Sequence, residues 1–285
     1  MLHSVSDMQV GSVAAGALIQ SGMTRESVRA LFERVSETCD LPPLPPAAAR
    51  AMALARDPET RAEELARVVA TDPVLAARVL MISRSVRYLR RTPPRTLQEA
   101  IVTVGFRALR RILIVASARA AYRGDDRLAQ HLWEHSLITA IAADELAIVG
   151  REPRGGDAFI AGLLHDIGKL VFHLSDPAAY ASVAPGDLAG EQAAFSVTHA
   201  AVAGCLAELW GLEDDVVEAV IFHHGPAGQS HLGSRIASAD WLAYELGYPS
   251  QEAAPSPPDP AGAAEVLILA DHVRDTFARE RELFD

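Results

Sequence analysis

The residues of this chain with the clearest chemical potential are histidines and aspartates in its second half. Imidazole and carboxylate groups suit divalent metals such as Zn, Fe and Mn, and a helical bundle can project them inward to one centre. A bound metal lowers the pKa of its water, and two metals can clamp the oxygens of a phosphate ester. Lys169, the only lysine, could offer a positive charge to phosphate. The candidate ligands are His135, His165, Asp166, His199, His223, His224 and Asp240.

Each of these residues is a weak signal alone, because a lone histidine on an apolar helix face is usually a hydrogen-bonded core residue. The ordered set is what favours a metal site. His131 leaves two interpretations open. It lies one helical turn before His135, a spacing that helical metal sites use, or it is a neighbour of Trp133 outside the ligand set.

The order His, His-Asp-x-Gly-Lys, His, His-His, Asp resembles the HD superfamily of metal-dependent phosphohydrolases, including the HD-GYP type that cleaves cyclic di-GMP. The resemblance implies that the seven residues ligate metals and that Asp166 bridges two of them. It also implies that Lys169 touches phosphate, which makes Asp166 and Lys169 the candidate catalytic residues. HD-GYP proteins follow the His-His pair with Glu and a Gly-Tyr-Pro run, where this chain has Gly225-Pro226-Ala227-Gly228. His131 also replaces a Glu that some of them place before the first His.

The wider pattern resembles the HDOD domain, the HD-related output domain of bacterial signalling proteins, over about 41–247. The resemblance implies an all-α, two-lobed helical domain that is usually regulatory and often lacks a complete metal set, whereas the set here is complete. Ser83-Arg84-Ser85 departs from the Asn-Ser pair that is typical of the family. The motifs that carry the resemblance are Leu41–Pro45, Asp72–Leu80, Thr96–Ile101, Leu132–Ser136, Ala161–Lys169, His199–Gly204, Leu209–Leu212 and His223-His224.

The elements that must position these residues are predicted to be helices. Ala, Leu, Arg and Glu dominate, and apolar residues recur at three- and four-residue intervals. Asp57-Pro58 and Asp72-Pro73 have the form of helix starts, with Asp as cap and Pro at the first helical position. The predicted helices cover 24–37, 46–56, 60–70, 72–84, 96–103, 106–122, 126–149, 156–172, 191–210, 213–224, 233–246 and 263–283.

The predicted organisation places one large domain between shorter flanking segments. A Pro-rich composition marks the linker, and the last helix is expected to pack on the body of the protein or on a second copy, which would make a homodimer. The predicted segments are a leader and short helix at 1–40 (the leader being 1–23), an HDOD domain at 41–247, a linker at 248–262 and a C-terminal helix at 263–285. Within the domain, an Arg-rich lobe covers 41–123 and a metal-site lobe covers 126–247.

Composition excludes several protein classes. A 49% hydrophobic chain can bury a core, which excludes general disorder, and no window of about 18 uninterrupted apolar residues predicts a membrane span. The first 24 residues lack Lys and Arg, unlike a secretory signal, and the only cysteines, Cys39 and Cys205, fit a reducing cytoplasm. A net charge of −11 argues against a nucleic-acid-coating protein. However, residues 78–127 carry +9, which indicates either a surface for phosphate or an acidic partner, or solvated helix faces.

Two functions follow as hypotheses. The first is a bacterial, cytoplasmic signal-transduction module that acts through a signalling protein or a nucleotide second messenger. The second is a metal-dependent phosphohydrolase acting on a nucleotide or a cyclic dinucleotide such as cyclic di-GMP. A metal held purely for structure is a third interpretation, since metal binding contributes folding free energy directly.

Overall fold

The structure is a computed structural model of the 285-residue chain. It describes residues 12–38, 44–85, 88, 92–122, 126–151, 155–225, 230–250, 255 and 260–284. Within these ranges every regular element is a helix, which confirms the all-α prediction. The helices are α1 (Val13–Gln20), α2 (Arg25–Thr38), α3 (Pro46–Leu54), α4 (Ala62–Val69), α5 (Pro73–Ser83), α6 (Leu97–Ala121), α7 (Arg127–Val149), α8 (Gly155–Leu164), α9 (Ile167–Ser175), α10 (Pro177–Ser182), α11 (Leu188–Phe195), α12 (His199–Leu209), α13 (Asp214–Ile221), α14 (His231–Glu245), α15 (Pro260–Leu267) and α16 (Ala270–Phe284).

The chain forms two compact units. The first unit comprises Met1–Leu41 and Tyr122–Phe277, and the second unit comprises Pro42–Ala121 and Ala278–Asp285. The first unit is therefore discontinuous in sequence, since two N-terminal helices join a body that begins about eighty residues later. All seven candidate ligands belong to the first unit.

The first unit is built around α7, a 23-residue helix that is buried along most of its length. Asp126 caps α7, because its carboxylate accepts from the backbone N–H groups of Leu128 at 2.8 Å and Ala129 at 3.3 Å. Helices α8 and α14 pack on α7, and α12 packs on α9 and α13. The four helices α7, α9, α12 and α14 each carry a buried polar residue of the candidate site: His135, Lys169, His199 and Asp240, respectively.

The second unit shows how local sequence sets helix ends. Asp72 caps α5, accepting from Val74 N and Leu75 N at 3.0 and 3.1 Å, as predicted. The helix start predicted at Asp57-Pro58 is wrong, because Asp57 caps a turn through Glu59 N and α4 begins only at Ala62. The predicted break between residues 103 and 106 is confirmed: Gly105 has φ 79° and ψ 164°, a backbone conformation that favours glycine.

The N-terminal region differs from the predicted leader. Val13–Gln20 is a helix whose Ala14, Ala15, Ala17 and Leu18 are buried. Glu208 of α12 accepts a hydrogen bond from Ala14 N at 2.6 Å. This bond satisfies one of the backbone N–H groups at the start of α1 that have no partner within the helix. Helix α1 therefore belongs to the core of the first unit, while residues 1–11 lie outside the described residues.

Three helices predicted as continuous are interrupted. The helix predicted over 156–172 is two helices, α8 and α9, with His165 and Asp166 between them. The helix predicted over 191–210 is α11 and α12, separated at Ser196, whose φ of 61° is left-handed. The C-terminal helix is α15 and α16, and its Val273 and Phe277 are buried.

Two sequence expectations concern cysteine and membrane segments. Cys205 is a buried free thiol, whereas Cys39 lies outside the described residues. One stretch, Asp157–Ser175, is apolar and long enough to cross a membrane by length and composition, but 83% of its most apolar window is buried inside the protein. That burial is typical of core helices.

Candidate metal centre

The first group of ligand atoms surrounds one carboxylate oxygen, Asp166 Oδ2. His135 Nε2 lies 3.4 Å from it and His165 Nε2 lies 3.3 Å from it. The two Nε2 atoms are 3.2 Å apart, and Asp240 Oδ1 is 3.3 Å from His135 Nε2. We call His135, His165, Asp166 Oδ2 and Asp240 the first half-site.

The second group surrounds the other oxygen of the same carboxylate. His199 Nε2 and His223 Nε2 lie 3.3 and 3.7 Å from Asp166 Oδ1. The Nε2 atoms of His223 and His224 lie 3.4 and 3.0 Å from His199 Nε2. We call Asp166 Oδ1, His199, His223 and His224 the second half-site. Six of the seven predicted ligands thus lie in two groups of close ligand atoms that share Asp166, and the seventh, Asp240, contacts His135 of the first group.

The backbone break between α8 and α9 explains why one aspartate can serve both groups. His165 follows the last residue of α8, and Asp166 precedes the first residue of α9 with φ −103° and ψ 4°. Helix α9 also approaches α12 closely, because a Cβ added to Gly168 would lie 2.1 Å from the carbonyl oxygen of His199. The absence of a side chain at Gly168 therefore allows Asp166 and His199 to meet.

Each buried histidine is oriented by a partner behind it. The Nδ1 atoms of three of them face main-chain carbonyls: His135 faces Tyr248 O at 2.8 Å, His165 faces Gly162 O at 2.7 Å and His223 faces Val220 O at 2.7 Å. A carbonyl only accepts, so Nδ1 carries the hydrogen and the Nε2 lone pair points into the centre. This is the arrangement by which proteins orient metal-binding histidines.

His199 has a carboxylate behind it instead of a carbonyl. Glu191 of α11 accepts from His199 Nδ1 at 2.8 Å and from the backbone N–H of His199 at 2.8 Å. The side chain of Glu191 is buried, like the imidazole it holds. A carboxylate behind the ring raises the basicity of the ligating nitrogen.

Most of the centre is buried, and one oxygen of its shared carboxylate lacks a hydrogen-bond donor among the described residues. The exposed fraction is 0% for His135, His165 and His199 and 1% for Asp166, whereas His224 is exposed. Asp166 Oδ1 has no hydrogen-bond partner among the described residues although it is buried. Imidazole nitrogens that face one another at 3.0–3.4 Å with hydrogens on their far sides repel unless a cation or a proton lies between them. The residues present therefore fit a bound metal.

Burial and neighbouring charges set the protonation of these groups. Burial, together with the charge of His224, holds the pKa of His223 well below its usual value. Burial and the charge of Lys169 also lower the pKa of His199. The lowered pKa values favour the neutral imidazoles of His199 and His223, which is the form that metal ligation requires.

In the first half-site, the pKa shifts favour the charged forms of Asp166 and His135. Burial would raise the pKa of Asp166, but the neighbouring His165, Lys169 and His135 outweigh burial and hold that pKa well below its usual value. Burial lowers the pKa of His135, yet the nearby carboxylates of Asp166 and Asp240 more than compensate and raise it. The two carboxylates therefore favour the protonated form of His135 in the metal-free protein.

Lys169 lies inside the protein beside the bridging aspartate. Its Nζ donates to Asp166 Oδ2 at 2.7 Å and to Ser250 Oγ at 3.1 Å, and the side chain of Lys169 is 3% exposed. The resemblance to HD proteins implied a phosphate contact for this lysine. In the described state its ammonium is instead engaged by two protein groups.

Sequence reasoning missed three groups that support the centre: Glu191, the Tyr248 carbonyl and Ser250. None of them lies in a motif, so spacing gave no signal for them. His131, for which the sequence left two interpretations, is half-buried and belongs to neither group of close ligand atoms among the described residues. Its position therefore favours a place outside the ligand set.

Comparison with known families connects this geometry to a domain type. The sequence model of the HDOD domain matches residues 41–226. An uncharacterized protein of Treponema pallidum (strain Nichols) is 26% identical over 195 residues, which cover 65% of this chain and 38% of that protein. The chain therefore spans well under half the length of this relative.

Solved structures share the fold. An HDOD domain protein of unknown function from Geobacter sulfurreducens has a TM-score of 0.71 at 21% identity, covering 91% of this chain and 99% of that one. A Shewanella amazonensis SB2B protein with a provisional phosphohydrolase name has a TM-score of 0.67 at 24% identity, covering 90% and 95%. A Marinobacter aquaeolei VT8 protein with a provisional signal-transduction name has a TM-score of 0.67 at 23% identity, covering 98% and 67%.

Proposed function

This chain belongs to the HDOD domain family, and from that premise we propose that it is a signal-transduction module built around an HD-type two-metal site. The metal site would lie in the first unit, with one ion in each half-site and Asp166 bridging them. The module would act through a signalling protein or a nucleotide second messenger. The family membership and the ligand geometry support this proposal together.

The observation that carries the proposal is the division of one carboxylate between two histidine groups. Asp166 Oδ2 faces His135 and His165, and Asp166 Oδ1 faces His199 and His223. The histidine hydrogens point away from the centre, to main-chain carbonyls and to Glu191, and Asp166 Oδ1 has no hydrogen-bond donor among the described residues. Two cations would remove the repulsion between the inward lone pairs.

The donor set narrows the metals to those that accept nitrogen and oxygen ligands. Imidazole suits Zn and Fe, and carboxylate suits Mn, which leaves Fe, Mn and Zn as the proposed ions. Each half-site offers three or four protein ligands, so a water or a phosphate oxygen could complete either coordination sphere.

The hydrogen bonds of Lys169 favour a regulatory role. In a phosphohydrolase this ammonium would be expected to face the substrate phosphate, but its donors reach Asp166 and Ser250. The Gly225–Gly228 run in place of Glu and Gly-Tyr-Pro also departs from the HD-GYP phosphodiesterases that the chain resembles. Both features support a module that binds metal without rapid turnover.

A metal-dependent phosphohydrolase is the second candidate, favoured by the bridged two-metal geometry itself. When bound, paired ions would generate hydroxide and neutralise charge on a phosphate ester. The residues of this chain would then contribute orientation: Asp166 would fix the separation of the ions, and Lys169, once released from Ser250, would bind a phosphate oxygen.

Metal content tests the shared part of both candidates. Purified protein is expected to hold up to two equivalents of Fe, Mn or Zn by elemental analysis, and Asp166→Ala is expected to hold far less, because it removes a ligand from both half-sites. Asp271→Ala is the matched control, since its side chain is 93% exposed and forms a surface ion pair with Arg274. Equal metal content in the Asp166→Ala and Asp271→Ala proteins would contradict the two-metal site.

Turnover separates the two candidates. Metal-loaded protein is assayed with cyclic di-GMP and with a generic phosphodiester, using Asp166→Ala as background. The signalling proposal expects no hydrolysis above that background. Hydrolysis that depends on Asp166 would establish the phosphohydrolase instead.

A further inference from the structure

A short segment after α14 contacts His135 and Lys169 of the metal centre. Helix α14, which carries Asp240, ends at Glu245, and residues Gly247–Ser250 follow it. We call Gly247–Ser250 the closing segment. Gly247 N and Tyr248 N donate to Tyr244 O and Ala243 O at 3.0 Å each, so the segment turns back over the last turn of its own helix.

The closing segment holds two functional side chains at once. The Tyr248 carbonyl lies 2.8 Å from His135 Nδ1, and Ser250 Oγ accepts from Lys169 Nζ at 3.1 Å. Pro249 lies between them and restricts the backbone. Ser250 is 3% exposed and Lys169 is 2% exposed, so their contact is shielded from solvent.

The closing segment is itself held by α16, within the part of that helix that belongs to the first unit. The ring of Tyr248 packs edge-on against Phe277 of α16, with ring centroids 4.8 Å apart. Phe277 is buried at 2% exposure. A continuous set of contacts therefore runs from α16 through Tyr248 and Ser250 to His135 and Lys169.

We infer that the closing segment is an occluding strap: Ser250 competes with phosphate for the ammonium of Lys169, and α16 holds Ser250 in place. A phosphate oxygen at the metals would compete with Ser250 Oγ for a donor position on this ammonium. The functional meaning of this inference rests on the proposed metal site, because a metal-bound phosphate is the competitor. The occlusion itself is a property of the chain alone and can be measured without metal.

The single lysine makes the occlusion directly measurable. Lys169 is the only lysine of the chain, so an amine-reactive reagent has one side-chain target besides the α-amino group. Mass spectrometry of the peptide that contains Lys169 gives its modification rate in the chelator-treated protein. Ser250→Ala removes one hydrogen bond and is expected to raise that rate about two- to tenfold. Ser182→Ala, on exposed α10, is the matched control and should leave the rate unchanged.

A second variant tests the hold by α16. Phe277→Leu keeps an apolar side chain but loses the aromatic contact with Tyr248. Like Ser250→Ala, it is expected to raise the modification rate of Lys169. Thermal unfolding of each variant shows that it is folded. A rate in Ser250→Ala at or below that of wild type would overturn the strap, and an unchanged rate in Phe277→Leu would overturn the part assigned to α16.

Phosphate binding completes the test. Inorganic phosphate is titrated calorimetrically into metal-loaded wild type and Ser250→Ala, and the variant is expected to bind more tightly by about the same two- to tenfold factor. Equal or weaker binding in the variant would overturn the competition, because Ser250 would then support Lys169 instead of blocking it. If the wild type takes up no metal, the proposed function fails, whereas the modification rates still decide whether Ser250 occludes Lys169.

Discussion

Glu191 accepts two hydrogen bonds from a single residue, His199: one from its ring Nδ1 and one from its backbone N–H, both at 2.8 Å. The carboxylate thus fixes the ring and also the first N–H of α12. The other buried histidines with a described partner have a neutral carbonyl behind them. The second half-site is therefore distinguished by a charged partner behind one of its ligands.

Replacing Glu191 should weaken metal binding in the second half-site. Glu191→Gln keeps the size of the side chain but removes its charge, and the expected loss of metal affinity is about 10- to 100-fold. Competition with a chromophoric chelator measures the affinity of each ion. Glu265→Gln on α15, which is exposed, is the matched control. An affinity for both ions within about twofold of wild type would show that the charge of Glu191 does not contribute to metal binding.

Gly168→Ala should be severely destabilising, because the new Cβ would lie 2.1 Å from the carbonyl oxygen of His199. Main chain cannot yield as a flexible side chain does, so α9 and α12 must separate. We expect a loss of several kcal/mol, about the upper range for single substitutions. Gly16→Ala in α1 is the matched control: nothing lies within 4 Å of its added Cβ, and helix propensity favours alanine there. Similar melting temperatures for the two variants would contradict the close approach.

The metal-free protein should lose stability as pH falls below about 6.5. His199 and His223 have folded-state pKa values below 6.5, so the unfolded chain binds their protons first and acid favours unfolding. His135 acts in the opposite direction, because its raised pKa adds stability that is complete below 6.5 and is lost as pH rises through the folded pKa. The pKa is lowered for two histidines, strongly for His223, and raised for one, so we expect the net effect of acid to be destabilising.

Urea unfolding with chelator, from about pH 7.5 to about pH 5, measures this dependence. His223→Gln should flatten the profile, because it removes the histidine with the large downward shift. A wild-type stability that stays constant or rises toward pH 5 would contradict the prediction.

Charge reversal in α6 should distinguish packed arginines from surface arginines. Arg110 is half-buried with its Nε and one terminal nitrogen shielded from solvent, whereas Arg107 of the same helix is exposed. Arg110→Glu is expected to destabilise the protein by about 1–3 kcal/mol, and Arg107→Glu by less than about 0.5 kcal/mol. Chemical unfolding measures both. Equal effects would show that the +9 charge of residues 78–127 is uniformly superficial.

The sequence was sufficient for the all-helical fold and for selecting the residues of the two half-sites, because these depend on local periodicity and on an ordered motif. It was insufficient at His165-Asp166, where the apolar pattern continues through a break in the backbone. Glu191 was missed because a glutamate in a helical pattern usually faces solvent, and only the fold places it behind His199. The burial of Ala14 and Leu18 was missed because their partners lie in helices far along the chain.

The discontinuous first unit has a consequence for how the protein is made. Helices α1 and α2 leave the ribosome long before α12 and α13, on which α1 packs, have been synthesised. The apolar faces of α1 and α2 can be buried only after the second unit and the central helix α7 have been synthesised. The packing that completes the first unit is therefore a late, long-range step. Such non-local closure is slow and leaves apolar surface exposed to aggregation while it is pending. A fragment that starts at Tyr122 would lack α1 and expose the surface that α1 covers.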